Sequence, residues 1–173
     1  MTKQSASKKR KQRGWKWEHI ITERIRRCYS WWAERLGSSS TELPDVIAWS
    51  NRYSKFLAIE CKSGTTDVLI IPREQVERCL RFKERFKKVK DGGGYFETYA
   101  VACFKFLRKR RRAGGEYQKR ELKEYYKELD IKLSKGERAP DIIINYDGKC
   151  YAVQKGKKLP INLPDYKMPF LRK

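Results

Sequence analysis

Asp45, Glu60 and Lys62 are the residues whose types and spacing could do chemistry together. Residues two apart in a strand share a face, so Glu60 and Lys62 project together from the apolar run 56–62. Leu57, Ile59 and Cys61 point the other way, into a core. Asp45 opens the preceding predicted strand, 46–49, and a connection through 50–55 can set it beside Glu60. Two carboxylates and an ammonium would then meet at one end of a sheet. Hard carboxylate oxygens bind Mg²⁺, which neutralises phosphate charge and lowers the pKa of a bound water. A nearby lysine can orient or deprotonate that water, or stabilise developing charge. The trio suits metal-assisted hydrolysis of a phosphodiester and needs neither His nor Cys.

Position, more than residue type, singles the trio out. Acid-x-Lys recurs at Glu121/Lys123, Asp130/Lys132, Asp147/Lys149 and Asp165/Lys167, and Pro-Asp recurs at Pro140-Asp141 and Pro164-Asp165. Only Pro44-Asp45 is followed, at strand-turn-strand distance, by acid-x-Lys inside an apolar strand. Asp141 also precedes a predicted hairpin, but its second strand offers Gln154 where a carboxylate is needed, so Asp141 reads as structural. The competing account of Asp45, Glu60 and Lys62 is a surface ion-pair ladder on a strand.

The elements that must position these residues follow from periodicity. Trp17, Ile20, Ile21, Ile25 and Cys28 recur at helical spacing and predict a helix over 15–28. Residues 29–36 fit either a continued helix or an aromatic-rich strand. Residues 37–41 read as a loop, and Pro72 at a first helical position starts a second helix. After Gly92-Gly93-Gly94, residues 95–107 read as a strand, and the β-β-α-β order predicts a mixed sheet flanked by helices. Leu122, Tyr126, Leu129 and Leu133 mark one face of an expected amphipathic helix, and 142–153 a hairpin turning at Asp147-Gly148. The division expected is a disordered basic arm (1–13), a core (14–107) and a basic linker, helix and hairpin extension (108–173).

Composition names the partner. Among 173 residues, 42 Lys and Arg face 21 Asp and Glu, a formal charge of +21, which makes a polyanion the leading ligand. No apolar run approaches the ~20 residues of a membrane span, so a soluble, cytoplasmic protein without a membrane partner or small-molecule cofactor is expected. Five cysteines without CxxC spacing and a single His give a Cys/His zinc site little support, and read as free thiols. Lys8, Lys9, Arg10, Lys11 and Arg13 in the arm, and Arg108, Lys109, Arg110, Arg111 and Arg112 further on, are the candidate phosphate-binding runs. Trp15, Trp17, Trp31 and Trp32 read as core or dimer interface rather than base-stacking surfaces.

The segment from Gly14 to about Phe104 resembles the archaeal Holliday junction resolvases of the PD-(D/E)xK nuclease superfamily. Five elements carry the resemblance, in order: Gly14-Trp15-Lys16-Trp17-Glu18, Ser38-Ser39-Ser40, Pro44-Asp45-Val46-Ile47-Ala48, Ile59-Glu60-Cys61-Lys62-Ser63 and Pro72-Arg73-Glu74-Gln75. It implies a restriction-endonuclease-like α/β fold, with residues 29–36 as a strand. Glu18 would complete a metal site built on Asp45 and Glu60, Lys62 would be the catalytic lysine, and Gln75 would support the site. One of Ser38, Ser39 or Ser40 would approach DNA, and Arg73 joins the expected DNA contacts. The activity implied is Mg²⁺-dependent cutting of branched DNA, Mn²⁺ substituting, by a homodimer making paired nicks at four-way junctions. The loop before Pro44 is short and lacks a Gly between its serines, and 108–173 has no counterpart in the family pattern. The rivals are a broader nuclease on the same core and a non-catalytic basic DNA-binding protein.

Overall fold

Helix α1 (Lys3–Arg26) buries Trp17, Ile21 and Ile25, a stripe at i, i+4 and i+8, against a sheet. The computed structural model describes residues 3–36, 42–87, 96–107, 110–113, 116–119, 121–134 and 136–171. After α1 come β1 (Trp32–Arg35), β2 (Val46–Ser50), β3 (Lys55–Gly64), β4 (Val68–Ile71), α2 (Arg73–Lys87) and β5 (Glu97–Phe106). Then follow β6 (Arg110–Ala113), β7 (Glu116–Lys119), β8 (Lys123–Glu128), β9 (Asp141–Asn145), β10 (Cys150–Gln154) and β11 (Lys157–Ile161).

The main sheet runs β1-β2-β3-β5-β8, antiparallel except for the parallel β3–β5 pair that the α2 crossover requires. Its two faces are both covered. On one, Trp17, Ile21 and Ile25 pack on Leu57, Ile59, Cys61, Val101 and Cys103, and the Trp17 indole N–H donates to the Cys103 carbonyl at 2.9 Å. On the other, Val76 and Cys79 of α2 share a core with Ala100, Ala102, Phe104, Ile71, Ile142 and Ile144. The last three belong to a second sheet, β11-β10-β9-β4. This is the mixed sheet flanked by helices that the sequence predicts.

Several expectations are corrected. Residues 3–13, expected to be disordered, are helical, because nothing before Gly14 breaks a helix that the packed stripe behind it already nucleates. The expected amphipathic helix around Tyr126 is instead strand β8, whose ladder from Val101–Glu128 to Phe106–Lys123 closes the outer edge of β5. A helix there would have left that edge unpaired. The hairpin at Asp147-Gly148 forms, with Gly148 at φ 90, but it lies within a four-stranded sheet that β4 joins through β9. Strands β4 and β11 were not expected. Arg110, Arg111 and Arg112 form a β-ladder with β7, where a basic linker was expected, and Arg108 and Lys109 lie outside the described residues. Among the described residues no helix is long and apolar enough to cross a membrane. Trp17 and Trp31 are buried as expected, whereas Trp15 and Trp32 are exposed. All five cysteines are free.

Candidate active site

The β2–β3 ladder pairs Val46 with Ile59, so one step further along it Asp45 stands opposite Glu60. Asp45 Oδ2 accepts the backbone N–H of Cys61 at 2.8 Å, which fixes this carboxylate at the strand end. The Glu60 side chain is 0% exposed. Its Oε1 accepts from Lys62 Nζ at 2.7 Å and its Oε2 from Arg78 Nη2 at 2.6 Å. Arg78, buried on α2, also stands 3.5 Å from Asp45 Oδ1. Asp45, Glu60 and Lys62 therefore converge, and the exposed surface ladder is excluded by burial.

The charges are held unevenly. Burial pushes the Glu60 carboxyl above the usual range; Lys62 opposes this, and the neighbouring Asp45 adds to it. For Lys62 burial works against the ammonium, but Glu60 and Asp45 outweigh it and hold its pKa above the ordinary lysine value. Lys62 is thus held as a cation and hydrogen-bond donor beside these acids. Glu18 is also raised, by burial first and then by Asp45, with Arg35 opposing. It lies within electrostatic reach of Asp45 and Lys62, while its Oε2 pairs with Arg35 Nη1 at 3.3 Å. The Arg35 guanidinium in turn covers the Trp15 ring at 5.3 Å.

Gln75 sits one helical turn before Arg78, and its Oε1 is buried without a hydrogen-bond partner. Among the described residues no three of His, Cys, Asp and Glu cluster closely enough to hold a metal ion as they stand. The donor chemistry nevertheless fits a hard divalent cation: oxygens from Asp45, Glu60 and Glu18, with the Gln75 amide oxygen uncommitted one turn before Arg78 on α2. It is Arg78 that now lies against both central carboxylates.

The expected DNA contacts are only partly described. Arg13 is half-buried, its carbonyl accepting from Ser63 Oγ at 3.4 Å. Arg73 is exposed beside Glu74. Lys8, Lys9, Arg10 and Lys11 lie on α1, and Ser38, Ser39 and Ser40 lie outside the described residues. Asp141 is structural: its Oδ1 accepts the Arg73 backbone N–H at 2.8 Å, capping α2.

Arg78 and Arg35 were missed by sequence reasoning. For Arg78 helical spacing gives no signal, since it is turned about 200° from Val76 and about 100° from Cys79, and its burial follows from how α2 docks on the sheet. Arg35, on a short strand among charged neighbours, offers none.

Residues 25–96 match the family described as archaeal Holliday junction resolvase (hjc). That span holds Asp45, Glu60, Lys62 and Gln75 and begins after Glu18. No curated protein matches the chain. The matching solved structures include that of Archaeoglobus fulgidus Hjc, a Holliday junction resolvase from an archaeal hyperthermophile. It is 18% identical, with 78% of this chain and 85% of that chain covered and a TM-score of 0.48.

Proposed function

We propose, for a chain whose residues 25–96 match the archaeal Holliday junction resolvase family, a divalent-metal-dependent endodeoxyribonuclease that resolves four-way DNA junctions. Mg²⁺ is the working metal, with Mn²⁺ able to replace it. The observation that carries this reading is the convergence of Asp45, Glu60 and Lys62 from neighbouring strands into a buried, hydrogen-bonded group.

Asp45 and Glu60 hold the metal, and Glu18 completes the set from α1. When bound, the ion supplies phosphate charge neutralisation and a more acidic water. Asp45 is held in place by the Cys61 N–H, which fixes one of its two oxygens at the strand end. Lys62, which projects beside Glu60 at the strand end, donates to the charge that develops on the scissile phosphate. Gln75 supports the group from α2.

Two symmetric nicks need two sites related by a twofold axis, so the working unit is a homodimer. Tyr29 and Trp32, 77% and 65% exposed, are apolar surface that such a dimer would cover. The formal charge of +21 draws any duplex, so selectivity must come from basic surfaces held at a fixed angle. The substrate is cytoplasmic branched DNA.

Labelled four-way and linear DNA, incubated with Mg²⁺ across a salt series, test the reading. Rising salt should strip linear DNA first, and cleavage should appear as paired nicks near the branch point. Equal loss of both substrates with nicks scattered along linear DNA would make the protein a general nuclease instead.

A further inference from the structure

Arg78 Nη2 stands 2.6 Å from Glu60 Oε2 and 3.5 Å from Asp45 Oδ1, so one guanidinium engages both carboxylates proposed to hold metal. Its side chain is 7% exposed, Glu60 is fully buried, and Lys62 takes the other Glu60 oxygen at 2.7 Å. Two acids therefore face two cations, and the group is already neutral without metal. An arginine keeps its charge in proteins. A divalent ion reaching the same oxygens adds two positive charges within a few ångströms of Arg78, in surroundings that screen poorly. Either Arg78 leaves Glu60 or the ion binds less tightly.

We infer that Arg78 is a positioning residue that competes with the divalent metal. It holds Asp45 and Glu60 together in the metal-free protein and raises the metal concentration at which the site loads. This rests on the metal site of the proposed function. It concerns occupancy of that site, and the test below needs no cleavage.

Arg78 differs in kind from an ion pair that merely shapes the carboxylates. Removing a shaping residue would loosen metal binding, because Asp45 and Glu60 would lose their mutual placement. Removing a competitor tightens it.

The experiment is calorimetric titration of the DNA-free full chain with Mn²⁺, for wild type, Arg78→Gln, Arg78→Met and Arg78→Lys. Arg78→Gln and Arg78→Met should bind Mn²⁺ about tenfold more tightly, ~1.4 kcal/mol, and Arg78→Lys should stay near wild type. Melting curves give a second reading. Without metal the neutral variants should melt below wild type, since Glu60 keeps a buried charge with one cation fewer, and saturating Mn²⁺ should close that gap. If Arg78→Met does not fold, Arg78→Gln, which keeps a donor for Glu60, gives the same comparison. Wild-type binding that is unchanged or weakened in the neutral variants overturns the inference alone. Absence of Mn²⁺ binding in every chain overturns the metal site as well.

Discussion

Two ion clusters in this protein look alike and behave oppositely. Glu60 receives Lys62 and Arg78 at 2.7 and 2.6 Å. Glu124 receives Arg24 at 2.6 Å, Lys105 at 3.0 Å and the Tyr126 hydroxyl at 2.6 Å. Burial pushes both carboxyls up. At Glu124 the hydrogen bonds from Arg24, Tyr126 and Lys105 win, and the group ends below its ordinary value. At Glu60 burial wins, with Asp45 adding to it. Contact distance does not separate the two; depth of burial does first, Glu60 being fully buried and Glu124 17% exposed, and the company of other acids second. Glu124 is one acid among two cations, whereas Glu60 shares its cations with Asp45, and Asp45 also raises Glu18. The Glu124 cluster is satisfied as it stands and ties α1 to β5 and β8. The Glu60 cluster still has reason to accept a cation.

Substitution at the acids should break this comparison most sharply. Glu60→Gln should abolish cleavage, and Lys62→Ala should reduce it by at least about 10²–10³-fold, with fold and junction affinity largely kept. Single-turnover cleavage beside gel-shift titration measures both, and a Lys62→Ala protein cutting at the wild-type rate would remove the proposed site. On α1, Glu18→Ala should eliminate activity, while Glu23→Ala should not, since Glu23 pairs with Arg26, which it shares with Glu34, in an exposed contact. The reverse result in a paired assay would displace Glu18 from the site.

Glu124→Gln should leave cleavage intact and cost about 1.5–3 kcal/mol in urea denaturation, because charged donors lose their acceptor. The pH dependence sharpens the contrast. Glu124 has a depressed folded pKa, so its contribution is present above the unfolded carboxylate value, ~4.3, and is lost as pH falls through the folded value. Glu60 has a raised folded pKa, so wild type should lose stability relative to Glu60→Gln as pH climbs from ~4.3 through the folded value. Urea curves between about pH 3 and pH 6 should show the wild-type margin over Glu124→Gln growing and that over Glu60→Gln shrinking. Margins moving in the same direction would erase the distinction. The smallest effect belongs to Asp141→Asn, which weakens the α2 cap: about 1 kcal/mol or less of stability and no change in cleavage rate.

Much of the fold was legible because its determinants are local. The stripe Trp17, Ile21, Ile25 marks a helix face, the alternation around Glu60 and Lys62 marks a strand with two faces, and Asp147-Gly148 marks a hairpin. The pairing of Asp45 with Glu60 was legible too, since a short strand connection sets its own register. Residues far apart in the chain were not. Leu122, Tyr126, Leu129 and Leu133 repeat near helical spacing, yet the strand around Tyr126 is decided by the open edge of β5, which no local pattern records. Strand β4 finds its partner in β9, more than seventy residues on. Arg78 lies eighteen residues from Glu60, and whether it faces solvent or a carboxylate depends on how α2 docks on the sheet. The sequence by itself determined which acids and which lysine share a strand end, because backbone periodicity governs that. Only the tertiary structure decided which cations neutralise them, because burial and charge act through space.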